Sequence, residues 1–259
     1  MTVPASPSRH SRSRRRWRRR LANLLMLAGL GVVLYLPGTW GFTWWQQGSL
    51  AGELAGAYPA LAESTPEEYF VKEDMTLLRA EQGGLAKAGL EAESLSRRKA
   101  LRQASLDFSA SLQGKTGEPF GRLVIPRIGL DVVMIEGIGT GDLRKGPGHW
   151  PETPAPGAGG NFIISGHRTT YGAPFFKLNE LEPGDEIQVL LPYAAVVYKV
   201  YRTIIVLPTE VEVVAQRGVD EISLTTCEPI YSASRRLIVQ AELSAFRLVG
   251  PGGDSLTGS

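Results

Sequence analysis

Glu221-Ile222-Ser223-Leu224-Thr225-Thr226-Cys227 runs into Glu228-Pro229, and a second run, Arg235-Arg236-Leu237-Ile238-Val239, follows a short polar break. Branched and apolar residues dominate both runs, the composition of strands with at least one buried face. Pro229 has no amide hydrogen to give to a ladder, so the first strand must end near Cys227. A side chain at a strand end is displayed while its backbone stays anchored. In the second run, alternation sends Arg235 and Arg236 to opposite faces. One of them can therefore reach whatever Cys227 faces.

The same texture spreads outward on both sides. Short β-branched runs at 122–125, 130–135, 161–165, 186–190, 196–206, 221–225 and 236–243 are bounded by Gly and Pro, with no amphipathic helix of comparable strength between them. That pattern is all-β, a sandwich or a barrel. A stretch of about 130 residues is enough for one closed barrel with a real core, which places a domain at 114–249. The Gly- and Ser-rich residues 250–259 are expected to form a flexible tail.

The N-terminal quarter has a different chemistry. Residues 1–20 hold eight arginines and no acid, whereas the formal net charge of the whole is only +2, so the remainder carries −6. The basic character belongs to a tail and not to the surface of the domain. This tail abuts residues 21–47, which contain no charged side chain. Basic residues in that setting hold a segment on the cytoplasmic side of a membrane, so nucleic acid is not an expected partner. Leu24, Leu25, Leu27, Leu30, Val32, Val33, Leu34 and Leu36 supply an apolar centre, and Trp17, Trp40, Trp44 and Trp45 suit the headgroup layer. The reading is a single-pass anchor in the cell membrane, with a cytoplasmic tail at 1–20, a span within 21–47 and the rest outside. A cleaved leader ending at the small residues near Ala55 and Ala57 is the rival, but the apolar run is longer than a leader's core.

Residues 48–113 are rich in Ala, Leu, Glu, Lys and Arg and are expected to form a helical stalk or linker. Thr65-Pro66-Glu67-Glu68 reads as a helix start. Gly83-Gly84 reads as an interruption. A second helix is expected over 85–112, its mixed charges forming a solvated face.

Cys227 is the sole cysteine, which excludes an internal disulfide and any cysteine-based metal cluster. A lone thiol is often just a small buried hydrophobe. Nucleophilic chemistry needs in addition a proton carrier and a positive group at the developing oxyanion. Two histidines of the domain qualify. His167 follows the apolar run Phe162-Ile163-Ile164-Ser165-Gly166, and His149 lies in the turn-rich Gly146-Pro147-Gly148-His149-Trp150-Pro151; context alone leaves both open. His10 belongs to the tail. No set of spaced carboxylates suggests a calcium site, so neither metal nor cofactor is expected.

Ser223-Leu224-Thr225-Thr226-Cys227 resembles the sortase signature Thr-Leu-x-Thr-Cys, with Ser in place of the first Thr. Ile125-Pro126-Arg127-Ile128-Gly129-Leu130, Leu143-Arg144-Lys145-Gly146-Pro147-Gly148-His149, Ser165-Gly166-His167-Arg168-Thr169-Thr170-Tyr171-Gly172-Ala173-Pro174-Phe175 and Arg236-Leu237-Ile238-Val239 also look like sortase segments, in the family's order. The loop after His167 looks most like that of class E sortases of high-GC Gram-positive bacteria. Trp150 stands where relatives often carry tyrosine.

The resemblance implies a closed sortase-type β-barrel of about eight strands with short helices and loops. It makes Cys227 the nucleophile, His167 the acid and base, and Arg236 the positive group, with Arg235 turned outward. Thr226, Thr225 and His149 become supporting or substrate-binding residues. The implied reaction cleaves the Thr-Gly bond of a Leu-x-x-Thr-Gly-type C-terminal signal on secreted proteins and transfers the acyl group to an amine of a peptidoglycan precursor. Two other readings of the residues are an extracellular thiol acyl-transferase or hydrolase of the L,D-transpeptidase kind, and an inactive barrel that only binds sorting signals. The first is disfavoured because those enzymes place histidine just upstream of the cysteine.

Overall fold

The computed structural model describes residues 9–63, 70, 76–77 and 86–250. The expected helix start at Thr65, the interruption at Gly83-Gly84 and nearly all of the expected C-terminal tail lie outside the described residues. The described strands are β1 (Thr76–Leu77), β2 (Pro119–Ile125), β3 (Leu130–Glu136), β4 (Gly148–His149), β5 (Asn161–Ser165), β6 (Glu186–Leu191), β7 (Ala194–Val206), β8 (Glu221–Glu228) and β9 (Arg235–Leu248). They form one sheet in the order β1-β9-β7-β6-β2-β3-β4-β5-β8, and an additional β9–β8 pairing joins its ends. The closed circuit therefore runs through β2 to β9, an eight-stranded barrel, with β1 added outside the ring on β9.

Alternation along the strands explains why the barrel has two greasy faces. Leu123, Ile125, Met134, Val189, Leu191, Val196 and Tyr198 point into the interior with Phe120, Phe162 and Phe246. Their neighbours Val124, Val133, Ile135, Leu190 and Ala195 point outward on one side and are nonetheless buried. An outward apolar face needs a cover, and helix α1 (Arg9–Ala57) supplies it, with Leu50 and Leu54 only 2% and 1% exposed. Burying two leucines to this extent contributes about 3–6 kcal/mol. Polar contacts fix the docking register: Val133 N donates to Gln47 Oε1 at 2.8 Å, and Gln47 Nε2 donates to Lys145 O at 2.9 Å. The short helix α2 (Pro59–Glu63) adds Leu61 to the same cluster.

Helix α3 (Ala86–Leu112) packs against the interior cluster of the barrel. Leu101, Ser105, Phe108 and Leu112 share one helical face, and all four are buried. Phe108 packs on Phe120 and Tyr193, and the Ser105 hydroxyl donates to Ala155 O at 2.9 Å. Gly157, at φ +94°, lets this helix approach: a Cβ there would lie 2.5 Å from Leu101. The described helices of the expected stalk thus lie on the barrel through their buried apolar residues, while Glu93, Arg98, Lys99, Arg102 and Asp107 of α3 remain exposed. The physical reason is burial, since neither outward face could stay wet without exposing a large contiguous apolar patch.

Candidate active site

Strands β5 and β8 are parallel and in register, pairing Asn161 with Glu221 through to Ser165 with Thr225, a constant offset of 60 in residue number. The register persists beyond the ladder. Gly166 N donates to Thr225 O at 3.1 Å, and the Thr226 hydroxyl donates to Gly166 O at 2.7 Å. Continued two residues past the end of β5, the same offset makes His167 the counterpart of Cys227 near the end of β8. On the other side β8 runs antiparallel to β9, and Cys227 is the direct partner of Arg236. Cys227, half-buried, thus stands between its ladder partner Arg236, nine residues downstream, and His167, its counterpart by offset sixty residues upstream. Residues directly opposite across an antiparallel pair have Cβ atoms about 4.5–5.5 Å apart.

The polypeptide after His167 folds back tightly on itself. Phe175 N donates to His167 O at 3.1 Å and Ala173 N to Thr170 O at 2.9 Å. Phe175 is fully buried beneath Gly166, where a Cβ would come within 2.6 Å of its ring. Tyr171 and Ala173 hold left-handed backbone, φ +50° and +46°. Such conformations cost non-glycine residues about 1–2 kcal/mol each, so the surrounding contacts must hold the loop in place. The Tyr171 ring lies 5.0 Å from the His167 ring, and the Arg144 guanidinium sits 5.5 Å over Tyr171. His167 Nδ1 is 3.4 Å from the Thr170 hydroxyl, whereas its Nε2 is buried without a hydrogen-bond partner. Burial, and secondarily the positive charge of Arg144, lowers the pKa of His167 below the usual 6.5.

Arg236 is half-exposed, and its Nη1 donates to the carbonyls of Ala233 and Arg235 at 3.0 Å each. Arg235 is exposed and pairs in register with Glu228. Thr225 and Thr226 are both buried, and Thr226 binds the two strand ends together through Gly166. His149 is 3% exposed and turned into the barrel against Phe120 and Phe162. Its Nδ1 lies 2.7 Å from the Glu136 carboxylate and its Nε2 3.0 Å from the Thr153 hydroxyl. Expected as a supporting residue, it braces the wall from within and presents no ring nitrogen to a ligand. Among the described residues no group of three or more His, Cys, Asp or Glu side chains is placed to hold a metal ion.

Sequence reasoning missed a second pair at the same strand ends. The offset that matches His167 to Cys227 also matches Arg168 to Glu228. Arg168, 3% exposed, forms an ion pair with Glu228 at 3.2 Å and donates to Asn179 Oδ1 at 2.9 Å. The Trp150 indole N–H donates to the Ser165 hydroxyl at 2.7 Å and secures the end of β5 from its other side. A strand pairing assumed between 161–165 and 221–225 would have exposed Arg168 and Glu228 as neighbours.

A half-buried thiol matched in register to an imidazole on one side and paired with an arginine on the other has the groups that acyl transfer through a covalent thioester requires. Known proteins share the region that carries these residues. The Sortase domain profile matches residues 123–244. Sortase D of Bacillus subtilis is 35% identical over 134 residues, which is 50% of this chain and 66% of the relative. Sortase SrtE1 of Streptomyces coelicolor is 36% identical over 143 residues, 49% of this chain and 41% of the relative. Among solved structures, the SrtF sortase from Corynebacterium diphtheriae matches with a TM-score of 0.50 at 28% identity, covering 52% of this chain and 89% of that one. This chain thus spans less than two thirds of the length of either curated relative.

Proposed function

The chain belongs to the sortase family, and on that premise we propose that it is a membrane-tethered cysteine transpeptidase for C-terminal sorting signals of the Leu-x-x-Thr-Gly kind. The observation that supports this reading is the strand register: β8 and β9 pair Cys227 with Arg236, and the β5–β8 offset continued past Ser165 matches His167 to Cys227. In the proposed reaction the Cys227 sulfur attacks the threonine carbonyl as its proton passes to His167, whose lowered pKa keeps the imidazole a base at neutral pH. The new C–S bond leaves a negative charge on the carbonyl oxygen. Arg236 meets that charge with the Nε and Nη2 hydrogens that its contacts to Ala233 and Arg235 do not use. Collapse breaks the C–N bond, His167 returns the proton to the departing glycine amine, and a thioester remains on Cys227. An amine of a peptidoglycan precursor then attacks the thioester and releases the thiol. Thr225 and Thr226 support this site by holding the two strand ends together.

The same proposal gives α1 two jobs. Its candidate span lies within Trp17–Ala57, where an 18-residue stretch has a mean hydropathy of 1.8. From Thr39 onward, however, Thr39, Thr43, Leu50 and Leu54 are buried by the protein itself. The lipid-facing part is then residues 21–38, where Leu24, Leu25, Leu27, Leu30 and Val33 are exposed. At about 1.5 Å per residue it rises about 27 Å, close to the hydrocarbon layer of about 30 Å. The arginine-rich tail then lies in the cytoplasm and the barrel outside, close to the membrane surface. Tethering raises the effective concentration of substrates held at the same surface.

The test is transpeptidation by the full chain in detergent. It is incubated with sorting peptides that carry Ala or Pro at the second position and with a short amine acceptor, and products are read by mass spectrometry. Peptide joined to the amine after loss of the glycine-side fragment, absent with Cys227→Ala, is the expected result. No joined or hydrolysed product from any peptide of the panel would overturn the proposal.

A further inference from the structure

The contacts of Tyr171 reach in two directions. On one side its ring packs against His167 at 5.0 Å between centroids and lies under the Arg144 guanidinium. On the other side it meets α1: the Phe42 ring stands edge-on at 6.4 Å. The next residue repeats the contact. A Cβ on Gly172 would lie 2.9 Å from the Thr43 side chain, so helix and loop meet with no room between them. Thr43 Oγ1 also donates to Arg144 O at 3.4 Å, which joins α1 to the segment that supplies the cation above Tyr171.

We infer that Tyr171 is a positioning residue for His167, and that the helix carrying the proposed membrane span holds it in place through Phe42 and Thr43. The inference rests on the reading of His167 as acid and base. A ring against the imidazole limits its rotation and excludes water from one face, and Tyr171 itself sits in left-handed backbone that needs outside support. The support comes from α1. Burial of His167, the leading cause of its lowered pKa, is in part the cover that Tyr171 provides. Arg144 is the charged group that acts on the imidazole from the same side. The anchor helix is therefore part of the catalytic scaffold as well as a tether.

The test uses the full chain in detergent micelles with labelled imidazole carbons and protons, following the His167 signal by NMR through a pH titration. Tyr171→Ala, Tyr171→Phe and Phe42→Ala are compared with the unaltered chain, and single-turnover acylation with a sorting peptide is measured beside them. Tyr171→Ala should move the His167 ring signals, raise their titration midpoint toward 6.5 and slow acylation about 10-fold with the peptide's KM unchanged. Tyr171→Phe keeps the ring and should restore signals and rate to near the original. Phe42→Ala, whose residue touches neither His167 nor any proposed substrate position, should shift the signals in the same direction as Tyr171→Ala and slow acylation about threefold. Unchanged His167 signals in Tyr171→Ala would overturn the inference, and unchanged signals in Phe42→Ala would remove α1 from it. If the unaltered chain acylates no peptide, the proposed function fails, while the NMR signals still decide whether Tyr171 positions His167.

Discussion

The ion pair between Arg168 and Glu228 offers a sharp perturbation of the site, because it lies one residue beyond His167 on one strand and one residue beyond Cys227 on the other. Arg168 is 3% exposed and Glu228 21%, with 3.2 Å between Nη1 and the carboxylate. Glu228→Gln keeps the shape and removes the charge, so the buried guanidinium loses its counter-ion and keeps only Asn179 as a hydrogen-bonding partner. Breaking a fully buried pair in this way costs about 3–5 kcal/mol. The partial exposure of Glu228 lowers that to about 2–3 kcal/mol. For a chain of this size the expected fall in Tm is about 5–10 °C. Arg168→Met removes the buried charge instead, and the double variant Arg168→Met with Glu228→Gln leaves no orphan charge. The double variant should therefore recover about 1.5–2 kcal/mol relative to the sum of the single losses. Thermal unfolding of the four full-length proteins in detergent, followed by near-ultraviolet circular dichroism of the barrel, closes the cycle. Additive losses, or a Glu228→Gln variant that melts with the unaltered chain, would refute the idea that this pair ties the His167 loop to the Cys227 strand.

Helix α3 supplies a second test, since Phe108→Ala should destabilise the protein by about 3–5 kcal/mol while Leu106→Ala on the same helix, 46% exposed, should stay within about 0.5 kcal/mol. Equal, small effects in a melting experiment would detach this helix from the core. The lowered pKa of His167 carries a definite sign. Below 6.5 the unfolded chain takes up a proton that the folded protein resists, so the stability associated with His167 is complete above 6.5 and is lost as the pH falls from there to the folded pKa. Melting of the unaltered chain against His167→Gln should diverge accordingly between about pH 7 and 5, and a constant difference would contradict it. Arg144→Gln should raise the His167 titration midpoint without restoring it fully to 6.5, because burial is the larger cause; an NMR titration in which the midpoint falls would reverse that assignment.

What the amino-acid order made legible follows a physical division. Runs of β-branched residues identify seven of the eight ring strands, because a strand buried on one or both faces must be apolar wherever it is located. Strand β4, only Gly148–His149, carries no such run and is held in place by Glu136 and Thr153. Strand β8 continues past Thr225 through Cys227 to Glu228, so the thiol sits inside a paired strand instead of beyond it. The resemblance named His167, Cys227 and Arg236, but their mutual placement is a property of strand register, which composition does not encode. The buried positions 101, 105, 108 and 112 have helical spacing and were present to be read, yet the mixed charges of the helix pointed to its solvated face. The contact of Phe42 with Tyr171 was out of reach entirely, since it arises only when one element folds against another far along the chain.

The most direct measurement is the intact mass of the full chain after brief exposure to a sorting peptide, with the modified residue located by fragmentation. The account predicts a thioester on Cys227 bearing the peptide up to its threonine, formed far more slowly in His167→Ala and Arg236→Ala and not at all in Cys227→Ala. An adduct on another residue, or one formed equally fast without His167 and Arg236, would contradict it.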